Sequence, residues 1–469
     1  MKIKHQELVI PKDKPFENCQ LDREKYASVL TDIVESYSEG FVLSINNAWG
    51  TGKTTFIKMW KQHLENQGFQ TIYFNAWEND FDSNPLVAIM SELKTLINGD
   101  KDRENKFKSA LEKAAILVKN ITPALVNALS KKYIGETGAD LLENTTKAAV
   151  EIFESEINIY TNKKETIKQF KVKLGEFIKA KGNQKPLVFI IDELDRCRPD
   201  YAVELLEKIK HFFSIPGIIF VLSIDKVHLS SSVKGFYGSD QINADEYLRR
   251  FIDLEYSIPS PSKEGSKKFV RYLYEYYSFK TFFSSEGHGK EAFLSMAELL
   301  FEKCNTPLRQ QEQIFALSRV AINSFKDKSI NDLSCLFFIL IYLKVTKNDL
   351  FKKIEQNELT LQKLSDSFGE LILNRMSVES EGIPITDQTN GICLVYVEAQ
   401  LLIFYDNTRH PYKRTLCSSN TSAPIKSKLE NEIFKLSDQL KKVKDKYPDF
   451  HLRVLMDKIN LLEQIQLKE

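Results

Sequence analysis

The run NAWGTGKTT, Asn47 to Thr55, lies between the short apolar stretch GFVLSIN and an amphipathic stretch that begins at Lys53. GFVLSIN has β-branched members and is bounded by Gly40 and an Asn-rich turn, which reads as a buried strand. Lys53 to Gln67 places Phe56, Ile57, Trp60 and Leu64 on one face, which reads as a helix. A strand that turns through glycines into a helix ending its turn in Gly-Lys-Thr is the context of a phosphate-binding loop. Gly50 and Gly52 allow close backbone approach, and the amides of Trp49, Gly50, Thr51, Gly52 and Lys53 can curl round a phosphate. The helix that follows points its positive end at the same place. Asn47, Ala48 and Thr55 complete the candidate loop, Lys53 would reach the β- and γ-phosphates, and the Thr54 hydroxyl would ligate Mg²⁺. The pattern GxxxxGK[ST] asks for glycine where Asn47 stands. Asparagine tolerates left-handed backbone best after glycine, so Asn47 is expected to supply that conformation.

A second signal is FIIDELDR, a strand-like run ending in two carboxylates. Asp192 would hold Mg²⁺ through its water shell, and Glu193 would orient and deprotonate an attacking water. Strands often end in Asp as a turn begins, so the pair means little alone. It gains meaning behind a phosphate loop, because phosphoryl transfer needs both halves. Asp195 and Arg196 follow at once, either as part of the site or as a solvated turn. A further apolar run, GIIFVLSID, ends in Ser223 and Asp225, which could sense a γ-phosphate or simply close a strand. Arg249, Arg250 and Arg309 are candidates for a charge-neutralising arginine, in cis or from a neighbouring subunit, against the plain alternative of surface charge.

Strands and helices alternate up to Pro259, which predicts an α/β layered sheet. QTIYFNAW adds a strand between the two motifs, and PLVFIID is apolar throughout, as in a parallel strand covered on both faces. Small-molecule P-loop kinases generally lack both an intervening strand and a glutamate after the metal-binding aspartate, so the chain points to P-loop enzymes that activate water with glutamate. Residues before the first helix, Asp22 to Tyr37, read as extended. Asp80 to Lys185 reads as a long helical insertion, and helices dominate after Pro259 apart from an ambiguous stretch over Ile383 to Leu416. Lys426 to Gln466 looks like two amphipathic helices broken at Pro448.

Composition narrows the class. With 65 Lys+Arg against 64 Asp+Glu the net charge is +1, which argues against a dedicated nucleic-acid wrapper. Six scattered cysteines without CxxC spacing suit a reducing compartment. The most apolar run, Leu333 to Val345, is shorter than the ~20 residues a bilayer span needs, and a buried helix is the better reading. No apolar leader is evident at the N-terminus, so a cytoplasmic protein without a membrane segment is expected.

Together, AWGTGKTTF, YFNAWEND followed by NPLVAIMSEL, FIIDELDRCRPDYAVELLEKIKHFF, FVLSIDK and YLRRFIDLEYSIP resemble the KAP family of P-loop NTPases. TPLRQQEQI and FFILIYLKV resemble that family's helical lid less distinctively. The resemblance runs from about Asp22 to Ile354. It implies an additional-strand P-loop sheet over residues 1–260, with an insertion at about 80–185, and a helical lid over 261–375. Residues 376–469 would form a mostly helical region of unknown role. It also implies that Trp49 and Trp77 are structural markers near the loop, and that Asp192, Glu193, Asp195 and Arg196 are a catalytic signature. Many members carry transmembrane helices in the insertion, and this chain is similar to the soluble bacterial type, frequent in anti-phage loci. ATP over GTP follows from the resemblance and from the lack of an NKxD-type guanine motif.

The leading expectation is an Mg²⁺-dependent ATPase acting as a switch on a partner, with self-association and a co-encoded effector as expected partners. A nucleotide-dependent assembly scaffold with little hydrolysis is the alternative that Asn47 favours. A nucleic-acid-stimulated motor comes third, since the near-neutral charge and missing helicase motifs count against it.

Overall fold

The computed structural model describes residues 8–37, 39–81, 84–118, 161–179, 185–279, 289–323, 333–372 and 452–461, with 397, 400–402, 404 and 405. Five parallel strands form one sheet in the order β2-β3-β4-β1-β5. They are β1 (Val42–Asn46), β2 (Gln70–Asn75), β3 (Leu187–Asp192), β4 (Ile218–Ile224) and β5 (Leu254–Tyr256).

The two central runs are apolar because both their faces are covered. Val188 and Ile190 of β3 and Ile219 and Val221 of β4 join one layer with helices α1 (Glu24–Ser36) and α2 (Lys53–Asn66). Leu187, Phe189 and Ile191 of β3, and Ile218, Phe220, Leu222 and Ile224 of β4, face the opposite layer. That layer holds α3 (Pro85–Lys94), α4 (Lys101–Val118), a helix over residues 161–179, α5 (Pro199–Phe212) and α6 (Lys226–Tyr237). Successive side chains of a strand point to opposite faces, so a strand between two helical layers has no polar side. Trp60 is fully buried in the first layer, and its indole N–H donates to the Thr31 hydroxyl at 3.0 Å.

Register aligns the strand ends. Asn75 pairs with Asp192, Asp192 with Ser223, and Ser223 with Ile45. The carboxyl ends of β2, β3, β4 and β1 therefore share one edge, where ligands bind in open parallel sheets. The phosphate-loop strand and the Asp192 strand are separated by β4 alone.

Two expectations need correction. β5 carries no apolar run: two of its residues are exposed and one half-buried, so periodicity did not mark it. It is held instead by pairing with β1, Leu43 against Leu254. The lead-in is not extended but a run of turns, because the Glu17 and Cys19 amides donate to the Lys14 and Phe16 carbonyls at 3.0 and 2.9 Å.

Beyond β5 the described chain is helical, with a separate apolar cluster from Phe269 onward. It gathers α7 (Lys263–Tyr276), α8 (Gly289–Lys303), α9 (Leu308–Asn323) and α10 (Ser334–Thr346). The run expected to be a buried helix is α10, buried from Leu336 to Leu343. Among the described residues no helix is long and apolar enough to cross a membrane. The described part of the insertion is helical, and Leu452–Leu461 lies within the expected C-terminal helices. The rest of both segments, and most of Ile383 to Leu416, lie outside the described residues.

Candidate functional site

Where β1 ends, the chain turns through two glycines in left-handed conformation, Gly50 and Gly52, both at φ 78°. Both are required. A Cβ on Gly50 would lie 3.2 Å from the Arg309 Cβ, and one on Gly52 would lie 3.1 Å from the Arg23 guanidinium. Asp225 and Arg23 then fix the loop from two sides. The Asp225 carboxylate accepts from the Trp49 amide at 3.2 Å and caps α6 by accepting from Val227. Arg23, at the start of α1, donates to the Thr51 carbonyl at 2.7 Å and to the Gly52 carbonyl at 3.0 Å. The Trp49 amide, expected to face a phosphate, is thus taken by Asp225, and the Thr51 and Gly52 carbonyls are tied back to Arg23.

Asn47 does not do what was expected of it. It is absent from the residues of positive φ. Its side-chain amide donates to the Ile258 carbonyl at 2.9 Å, and its side-chain oxygen accepts from the Ile258 amide at 2.7 Å. Asparagine stands here because it extends the pairing of β1 with the β5 strand past the last ladder residue, a task glycine cannot perform. Asn47→Gly would leave both Ile258 groups unpaired and is expected to cost roughly 1–3 kcal/mol. Urea denaturation measures this, and a variant as stable as the wild type would show that the pair holds nothing.

A cavity of about 600 Å³ opens beside the loop. Gly50, Gly52, Lys53, Thr54 and Thr55 line it together with Asp192, Glu193, Asp195, Arg196 and Arg309. The volume suits a small-molecule ligand, for which ~300–1,000 Å³ is usual. Lys53 is buried, and its Nζ donates to the Asn47 carbonyl at 2.8 Å. Burial pulls its pKa below the usual lysine range, while Asp195, Asp192 and Asp225 push it back up. A cation held among carboxylates inside a glycine loop is suited to a polyanionic ligand.

Asp192 is fully buried at the end of β3. One carboxylate oxygen accepts from the Glu193 amide and the other from the Tyr73 hydroxyl, each at 3.0 Å. Burial and the Asp192 charge raise the Tyr73 pKa, so Tyr73 stays a donor. With a donor on each oxygen, Asp192 suits a role through metal-bound water. Thr54 and Asp192 line the same cavity and are hard oxygen donors, which fits Mg²⁺, an ion that keeps several waters.

Glu193 adopts left-handed backbone, φ 61° and ψ 25°, which costs a non-glycine residue roughly 1–2 kcal/mol. Such strain clusters at functional positions. Its two carboxylate oxygens are engaged separately. Asn75 donates to one at 3.1 Å, and the Arg196 guanidinium pairs with the other at 3.0 Å.

The remaining candidates divide. Ser223 is buried beside Asp192, with a hydroxyl that finds no partner among the described residues. Ser223 and Asp225 are not among the cavity-lining residues, and Asp225 instead braces the loop. Arg309 lines the cavity, and its amide donates to the Gly50 carbonyl at 3.2 Å. Arg249 and Arg250 are exposed and lie outside the cavity lining. Trp49 and Trp77 are 45% and 50% exposed. The Trp49 ring stacks on His228 at 3.7 Å, and its N–H donates to Asp195.

Sequence reading missed Arg23, Tyr73, Asn75 and Glu312, of which Tyr73 and Asn75 lie inside the quoted YFNAWEND. Glu312 lines the cavity one turn beyond Arg309 on α9, near Tyr272 and Tyr277 of the helical region. Burial pushes its pKa up to about 7, opposed by Arg309. In the folded protein Glu312 therefore keeps its proton through a window, from the ordinary glutamate range up to about 7, in which the unfolded chain loses it. Stability should fall as pH rises through that window and stay lowered above it. Glu312→Gln is accordingly expected to raise the melting temperature at pH 8 more than at pH 5. An equal effect at both values would mean that the carboxyl is not buried in solution.

A family model, the KAP family P-loop domain, matches residues 23–365. An uncharacterized protein of Methanocaldococcus jannaschii is 30% identical over 176 residues, 33% of this chain and 89% of that one. The phage T7 exclusion protein of Escherichia coli K12 is 19% identical over 273 residues, 53% of this chain but 35% of that relative. Among solved structures, the Aeropyrum pernix ORC2 protein (ADPNP-ADP complexes) matches with a TM-score of 0.32 and 13% identity, covering 94% of each chain.

Proposed function

Because the chain belongs to the KAP family of P-loop NTPases, we propose that it is an Mg²⁺-dependent ATPase whose hydrolysis cycle switches a partner, in antiviral defence. The observation that carries this reading is the meeting of Lys53, Thr54, Asp192 and Glu193 on one cavity beside the phosphate loop. In that arrangement the loop amides and Lys53 hold the β- and γ-phosphates. Bound Mg²⁺ would neutralise the developing phosphate charge, held by Thr54 directly and by Asp192 through water. Glu193 orients the attacking water and takes its proton. Arg309, Arg196 or an arginine of a second copy, Arg249 or Arg250, would complete charge neutralisation, with Ser223 and Asp225 linking β4 to the phosphate end. The defence role is supported by the name of the phage-exclusion relative, and a cytoplasmic location accords with that role.

A second reading, an assembly scaffold with little hydrolysis, is favoured by one observation: both Glu193 oxygens are engaged, by Asn75 and Arg196. Phosphate release from ATP and GTP, with and without DNA and RNA, separates the readings. Turnover of ATP above the Glu193→Gln background supports the switch. Turnover at that background supports the scaffold, and turnover that appears only with nucleic acid overturns both.

A further inference from the structure

Arg196 sits where three different partners compete for one guanidinium. It pairs with Glu193 at 3.0 Å, i to i+3 across the short 3₁₀ turn Leu194–Arg196, in which such side chains eclipse. Its guanidinium carbon lies 5.8 Å over the Trp49 ring and 5.4 Å over the Trp77 ring. It also lines the cavity that holds Lys53 and Asp192. The side chains of Arg196 and Glu193 are 29% and 15% exposed, so the pair stands at the cavity mouth and is only partly screened.

We infer that Arg196 is a positioning residue that acts as a latch: it restrains Glu193, and a terminal phosphate entering the cavity draws it away, freeing the carboxylate for water. This rests on the nucleotide-binding reading above. The chemistry favours the exchange in one direction. A guanidinium does not lose its proton, so it keeps its attraction for an entering anion at any working pH. A terminal phosphate offers more charge and more acceptor oxygens than a carboxylate, in a geometry that suits the guanidinium fork. Both side chains keep some contact with solvent, so water can replace each partner as the pair opens. A diphosphate lacks the γ group and should not trigger the exchange.

The two tryptophans give the latch its rails and its signal. Cation–π contact holds the guanidinium between their faces as it swings. Trp77 is also coupled to Glu193 by a second route. The Asn75 side-chain oxygen accepts from the Trp77 amide at 3.1 Å, while its amide nitrogen donates to Glu193 at 3.1 Å. The third tryptophan, Trp60, is fully buried and supplies a constant background.

The test is tryptophan emission of the full chain with Mg²⁺, titrated with ADP or a non-hydrolysable ATP analogue. Calorimetry run in parallel shows whether each nucleotide binds. Wild type should show a change with the triphosphate beyond that with ADP. Arg196→Ala should bind both nucleotides yet lose that increment, Trp77→Phe should lose the share that Trp77 reports, and Arg196→Lys should keep part of it. Circular dichroism confirms that each variant is folded. Binding with no increment in wild type, or an increment that survives Arg196→Ala, sinks the latch and leaves the nucleotide reading intact. Absence of binding by wild type overturns both.

Discussion

Lys53→Ala is expected to abolish nucleotide turnover, by on the order of 10²–10³-fold or more, as when a preorganised donor to a developing anion is removed. The loss should exceed that of an exposed lysine for a local reason. Lys53 is buried, and Asp192, Asp195 and Asp225 all act on its charge. Without the ammonium those carboxylates remain and repel the phosphates that the cavity is shaped to receive. Ground-state affinity should therefore fall together with turnover. Calorimetric titration with ATP and Mg²⁺ reads the first, and phosphate release reads the second. Folding should be little changed, since Arg23 and Asp225 still brace the loop. Tight ATP binding by Lys53→Ala would mean that the cavity holds its ligand in some other way.

Glu193→Gln should separate the two readouts. Removal of a general base costs typically 10²–10⁴-fold in rate. The amide side chain can still accept from Asn75, so the loop after β3 keeps its shape and nucleotide affinity is retained. Filter retention of labelled ATP against time shows this directly: the variant holds intact ATP, and the wild type releases diphosphate. Hydrolysis by Glu193→Gln within a few-fold of wild type would remove Glu193 from the chemistry and shift attention to Asp195, a further carboxylate lining the cavity.

Much of the architecture could be read from the chain before any coordinates. Runs such as PLVFIID and GIIFVLSI admit one interpretation, because an unbroken apolar strand has to be covered on both faces. The glycines of NAWGTGKTT mark the loop because a side chain at φ 78°, within about 3.2 Å of a neighbouring side chain, would be both strained and crowded. β5 escaped because its three residues, Leu254–Tyr256, are held by pairing with β1 and bury too little to leave a pattern. Asn47 was given the wrong physical task, and it is not among the residues that line the cavity. Its partner Ile258 lies 211 positions away, and no local rule reaches that far.

Residue types and short spacing were enough to locate the phosphate loop, the carboxylate pair and the strand–helix alternation, since each arises from forces acting between near neighbours in the chain. What surrounds them came only from folding. Arg23 bracing the Thr51 and Gly52 carbonyls, Asn75 reaching Glu193, and Arg309 meeting Gly50 are contacts between segments far apart in the chain. Polar contacts of this kind depend on distances of about 3 Å. Strand register and helix packing set such distances, and neither is written in the order of residues along one segment.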